Sequence, residues 1–503
     1  MNLAHLIDDH PADHVALISR GVPTTFGELR GQVGAMRRAL TALGVVRGDR
    51  VAVACGNGVH FVVTYLAALG VGAVVVPLNP TSPAPELERE LVVVTPKVIV
   101  LEPVAVGTWQ AIDAVIAAAI PHVIVTEGQA INGAVAFDTL LEGSLLDGDG
   151  ECPPIVDVRV DDLAVLIFTS GTAGAPRAAM LSHGNLLANL AQAQTAPEKI
   201  LPTDVIYCVL PLHHIFGLNV VLGLSLQLGA TVVLAQRFDP ATALDTIAER
   251  GVTVVPGAPP MWVSWSMFAD APAGSLSTVR LAFSGAAKLP ELAASRVHDL
   301  FGVTVSEGYG LTEAAPSVTS ASGIPHRPGS IGKVLDGIEI RLVDEQGDDV
   351  LRGDSGEIWL RGPNIFQGYL GDSEATARAL TADGWLRTGD IAVSDDDGYL
   401  YLVDRAKDLI IVSGFNVYPA EVEEILAEHP GVAEVAVVGV PHPHSGEAVK
   451  AYVVAEAGVH LDEEQLIAHC AENLARYKCP NKILFVDELP RGLGGKLLRR
   501  ELT

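Results

Sequence analysis

Short unbroken runs of Val, Ile and Leu recur along the chain before residue 400: RVAVAC from Arg50, AVVVPL from Ala73, KVIVLE from Lys97 and HVIVTE from His122. Helical patterns separate them. A strand that is apolar on both faces must be covered on both faces, and the helices between such strands are the crossovers a parallel sheet needs. The expectation is an α/β fold, a large N-terminal domain of parallel-rich sheets with helices on both faces. Phe61 to Leu78 is about as long and apolar as a membrane span. Gly70, Gly72 and Pro77 favour instead a buried helix followed by a strand.

Around residue 400 the texture changes. GYLYLVDRAKDLIIVSGFNVYP reads as strand, turn, strand, turn, and Pro419 then opens the helix PAEVEEILAEH, stopped by His429-Pro430-Gly431. Val422, Ile425 and Leu426 share its inner face, which leaves Glu421, Glu423 and Glu424 in water. The strands VAEVAVVGV and AVKAYVV follow, then a helix begun by Asp462 with Gln465 at capping-box spacing, then the strand KILFVD. These make a small α+β C-terminal domain. The expected division is 1–403 for the large domain, 404–407 for a hinge and 408–503 for the small domain.

Acidic residues outnumber basic ones, 60 to 33, for a formal charge of −27. That balance argues against a nucleic-acid partner and against a polybasic membrane anchor. The five cysteines form no CxxC pair, which fits reduced thiols in a cytoplasmic protein. The first residues, MNLAHLIDDHPADH, lack the basic start of a signal peptide. Peripheral contact with a membrane and a homodimeric state stay open.

Six segments carry chemistry. In LAVLIFTSGTAGAPRAAM an apolar strand runs into Thr169, Ser170, Gly171, Thr172 and Gly174, hydroxyls and bare backbone N–H groups that suit phosphate oxygens; an ordinary Ser/Gly turn is the alternative. The Gly-x4-Gly-Lys spacing of a Walker loop is absent. LPLHHIFGLN places His213 and His214 in an apolar run. SGAA, from Ser284 to Ala287, lets a flat ring approach the backbone, or merely packs. GYGLTE, from Gly308 to Glu313, joins an aromatic ring, two glycines, a hydroxyl and a carboxylate that suits Mg²⁺. WLRTGD with Arg405 offers Asp390 and a guanidinium to ribose or phosphate oxygens. GLGGK carries Lys496 on a glycine-rich tip, where a solvated charge is the plain alternative.

In their order and spacing these segments, with RPGSIGKVLDGIEI, GEIWLRGPNIFQGYL and DRAKDLIIVSGFNVYPAEVE between them, resemble the adenylate-forming superfamily along nearly the whole chain, and fatty-acid–CoA ligases in particular. The resemblance implies an AMP-forming acid–thiol ligase that uses ATP, Mg²⁺ and coenzyme A and makes acyl-AMP before the acyl thioester. Thr169, Ser170, Gly171, Thr172, Gly174 and Arg177 would hold phosphates. Gly285, Ala286 and Ala287, with Gly308, Tyr309 and Gly310, would frame adenine. Thr312 would touch the α-phosphate, Glu313 would hold Mg²⁺, and Asp390 and Arg405 would hold the ribose. Lys496 would be the catalytic lysine, carried away when a mobile small domain turns about Lys407. Ser413, Gly414 and Phe415 would then line a thiol tunnel, and His214 would gate the acyl site.

Departures from the pattern are Ala173, Arg177 and Ala178, where Thr, Lys and Gly are usual, together with Gly492 and Gly494 near the lysine. Slower adenylation is expected from them. Gly257 in VVPGAPPMW is expected to leave room for an acyl tail, which favours a fatty acid. Arg280 is the residue that would serve a malonate-like dicarboxylate. Transfer to a carrier protein, and a degenerate relative that binds without turnover, are the remaining alternatives.

Overall fold

The computed structural model describes the chain except residues 128–130, 147–151, 171–175, 269–270, 273, 345, 406–409, 457, 491–498, 500–501 and 503. Two seven-stranded sheets form the body of the molecule. In one, Arg50–Ala54, Val74–Pro77, Val98–Leu101 and His122–Val125 pair in parallel, and Val74–Pro77 is also parallel to Leu163–Ser170. These are the apolar runs of the sequence, and most of their residues are fully buried because helices cover both faces. Between the first two lies the helix Val59–Val71, closed by Gly72 in the left-handed region. Among the described residues no helix is long and apolar enough to cross a membrane.

The second sheet combines distant parts of the chain. Val205–Cys208, Thr231–Leu234, Val254–Gly257, Leu281–Ser284 and Val305–Glu307 are its parallel strands. The N-terminal strand Val15–Ser19 joins the same sheet beside Thr231–Leu234 and carries Val22–Thr25 as the antiparallel edge. A four-stranded antiparallel sheet, Glu339–Val343 to Leu400–Arg405, follows.

The final unit is a five-stranded sheet built on the long hairpin of Val432–His442 and Gly446–Ala455. The helix Pro419–Ala427 begins at the expected proline, and Val422, Ile425 and Leu426 are buried beneath it. Glu421 differs from expectation. It is only 5% exposed, because the face that periodicity assigns to water packs against the large unit.

Candidate active site

A cavity of about 780 Å³ opens between the two units, well within the ~300–1,000 Å³ usual for small-molecule sites. Its walls include Asn79, Thr169, Val209, Gln236, Ala258, Ser284 and Glu307. Each lies at or just beyond the carboxyl end of a strand of the two large sheets, where ligands of open α/β sheets bind.

The histidine segment enters this cavity on a braced loop. Asn57, 4% exposed, donates to the carbonyls of Cys208, Leu210 and Ala235 and accepts from the Leu212 amide at 3.0 Å. That bracing fixes His213 and His214, whose ring centroids are 4.6 Å apart. Neither Nε2 has a hydrogen-bond partner among the described residues. Burial, then the nearby Lys478, lowers the His214 pKa to about 4; burial and His214 hold His213 well below its ordinary value. Both rings are neutral at pH 7 and leave a polar atom for an incoming ligand.

Tyr309 and Asp390 come together, with the phenol donating to the carboxylate at 2.6 Å. Gly285, Ala286, Ala287, Gly308, Gly310 and Thr312 line the same wall. Arg405 lies opposite Asp390 in the strand register; its side chain is outside the described residues. Glu313 receives the hydroxyl of Tyr369 at 2.6 Å, a contact the sequence did not suggest. That bond occupies one carboxylate oxygen, and a carboxylate lining this cavity fits Mg²⁺, which usually takes one or two protein carboxylates plus substrate phosphates.

Arg177 lines the cavity while its Nε donates to Asp372 at 3.0 Å and its guanidinium lies 5.8 Å from the Tyr369 ring. Thr169 also lines it. Ser170 ends its strand, with its side chain outside the described residues; Gly171, Thr172, Ala173, Gly174, Lys407, Gly492, Gly494 and Lys496 are outside them altogether. Ala178 is placed by its strand. It sits in the strand Pro176–Ser182, with no exposed surface, so its methyl fills the core and obstructs no loop.

From the small unit, Ser413, Gly414 and Phe415 reach the cavity. Gly414 has φ +84°, and a Cβ there would lie 2.8 Å from that of Ala258, too close for any side chain. Phe415 stacks on Tyr477 at 4.4 Å and meets His214 edge-on at 4.9 Å. Behind them Lys478 bonds Glu86 and Glu421, another group that reading single segments missed.

Two further expectations change. Met261 folds over Gly257, its terminal methyl overlapping the place where a Cβ would stand, so the space allotted to a tail is filled. Arg280 is committed to Asp204 and to the carbonyl of Lys199, and it is not among the lining residues.

The model of the AMP-binding enzyme family matches residues 3–370, and that of the AMP-binding enzyme C-terminal domain matches 421–496. The chain belongs to this family. Its AMP-binding relatives include the 3-[(3aS,4S,7aS)-7a-methyl-1,5-dioxo-octahydro-1H-inden-4-yl]propanoyl:CoA ligase of Mycobacterium tuberculosis, 38% identical over 97% of this chain and 95% of that one. The long-chain-fatty-acid–CoA ligase of Yersinia pestis is 36% identical over 98% and 91%. Among solved structures, a double mutant of o-succinylbenzoate CoA synthetase from Bacillus subtilis, bound with its product analogue, superposes with a TM-score of 0.87 at 29% identity, over 100% of this chain and 98% of that one. This AMP-binding chain is an enzyme of the acid–thiol ligase class.

Proposed function

We propose that the enzyme converts a largely apolar monocarboxylic acid, of the fatty class first, to its acyl-AMP with ATP and then to its coenzyme A thioester. One observation carries the reading. A single cavity joins the Tyr309–Asp390 pair, the Tyr369-held Glu313, the neutral His214 and the Ser413–Phe415 segment of the second unit. A free carboxylate is a poor acyl donor, and adenylation gives it AMP as a leaving group.

In this reading Asp390 and Arg405 hold the ribose, Tyr309 and the stretch from Gly285 to Ala287 hold adenine, and Thr169, Ser170 and Thr312 meet phosphates. Glu313 would hold Mg²⁺, which neutralises phosphate charge when bound. Lys496 stabilises charge at the α-phosphate in the first step. The docked Phe415 segment belongs to the second step, where the thiol arrives beside His214, and the hinge at 404–407 lets the two arrangements alternate. The acyl group lies against Phe216, Val220, Pro260 and Met261. The commitment of Arg280 to Asp204 weighs against a dicarboxylate.

The test is mass spectrometry of products from ATP, Mg²⁺ and a panel of acids, with and without coenzyme A. Apolar acyl thioesters that form only with the thiol are expected. Acyl-AMP that accumulates and ignores coenzyme A would instead favour a carrier-protein acceptor, and a dicarboxylic thioester would favour the malonate-like alternative.

A further inference from the structure

The helix Ala84–Val94 of the large unit presents Glu86 and Glu90, one turn apart, to the small unit. Facing them is Lys478, whose side chain is 7% exposed. Its ammonium donates to Glu86 at 2.5 Å and to Glu421 at 2.9 Å. The other oxygen of Glu86 accepts the Ala475 amide at 2.8 Å, and Arg89 donates to the Asn473 carbonyl at 3.2 Å. Four bonds in this small area thus involve both charged side chains and backbone, and three of them cross between the units. Burial works against a charge on Lys478, but Tyr477, Glu86 and Glu421 keep it protonated.

A buried ion pair adds little net stability over a well-packed apolar contact, whereas a buried charge left without its partner is costly. Such a pair therefore selects one docking register and penalises others. Lys478 is also joined through its neighbour Tyr477 to Phe415, the ring that touches His214. We propose that Lys478 is a positioning residue for thiol transfer: bonded to Glu86 across the cleft and to Glu421 within its own unit, it fixes the register that seats Phe415 beside His214. The proposal rests on the two-step reading above. It assigns Lys478 and Glu86 no part in adenylation, for which the small unit would sit elsewhere.

The experiment separates the half-reactions. Pyrophosphate exchange without thiol reads adenylation, and single-turnover consumption of enzyme-bound acyl-AMP on adding coenzyme A reads transfer. Glu86→Gln, made in the large unit, keeps the size of the side chain but leaves the lysine facing an amide. It should slow transfer by about tenfold or more while exchange stays within about twofold. Lys478→Met should do the same, and Lys478→Arg should recover most of the transfer rate. Equal loss of both half-reactions in Glu86→Gln would mean general structural support and overturn the proposal. No loss in either would overturn it as well.

A second measurement works without any substrate. Dyes on cysteines introduced at the exposed Val22 and Val459, in a Cys152→Ser background, report how the units sit in the full-length protein. Glu86→Gln should lower the population of the docked distance. If the parent makes no acyl-AMP with any acid, the two-step reading fails on its own; an unchanged docked population in Glu86→Gln would overturn the latch independently.

Discussion

At the scale of single residues, the site depends on side chains that fill or brace space. Met261 is 5% exposed and closes the pocket over Gly257. Met261→Ala should open that space at a stability cost of about 2–5 kcal/mol. Ratios of kcat/KM across a series of acids should then shift toward longer chains. Ala178 gives a contrary case. A buried strand methyl supports the sheet, so Ala178→Gly should cost about 0.5–1 kcal/mol in unfolding free energy and leave pyrophosphate exchange no faster. Tyr369 steadies Glu313 through one hydroxyl. Tyr369→Phe should raise the Mg²⁺ concentration needed for half-maximal exchange by about tenfold, the effect of losing a bond that orients a metal ligand.

Among elements, the helix that carries Glu86 and Glu90 controls how docking responds to pH. Burial, then Glu86, raises the Glu90 pKa to about 8 against the pull of Lys478; Glu421, also raised, and Arg89 complete its surroundings. A Glu90 returned to water by undocking would ionise near its ordinary value of 4.5. Between that value and about 8 the docked state holds a proton the undocked state has lost, so each rise in pH disfavours docking until the trend levels off near 8. The docked population should therefore fall from about pH 5 to about pH 8, and Glu90→Gln should weaken the dependence, leaving the share carried by the raised Glu421. Element types were readable because the periods of the apolar residues are local: the runs from Arg50, Ala73, Lys97 and His122 are all strands, and Pro419 does start a helix. Glu421 was misread because its partner, Lys478, lies 57 residues away and its cover comes from another unit.

Over the whole molecule, charge and order of assembly matter. The formal charge of −27 opposes an anionic thiol at long range. Association of coenzyme A should accordingly quicken as salt rises from about 10 to 150 mM, where the screening length shrinks from about 30 to 8 Å; stopped-flow mixing checks this. The candidate site was legible in the sequence to the extent that its residues cluster in short segments. Tyr309, Glu313 and Asp390 were found from the residue types grouped in GYGLTE and WLRTGD, whereas Tyr369 and Asn57 act through bonds to distant segments that no local pattern marks.

The strand Val15–Ser19 pairs with Thr231–Leu234, so the hairpin it forms with Val22–Thr25 has no sheet to join during synthesis until that partner strand is made. At about 5–20 residues per second that interval is roughly ten to forty seconds. Meanwhile the sheet that begins at Arg50 can be completed from contiguous chain. The second large sheet is thus completed after the first, and until then the hairpin of Val15–Ser19 and Val22–Thr25 keeps an unpaired, partly apolar edge waiting.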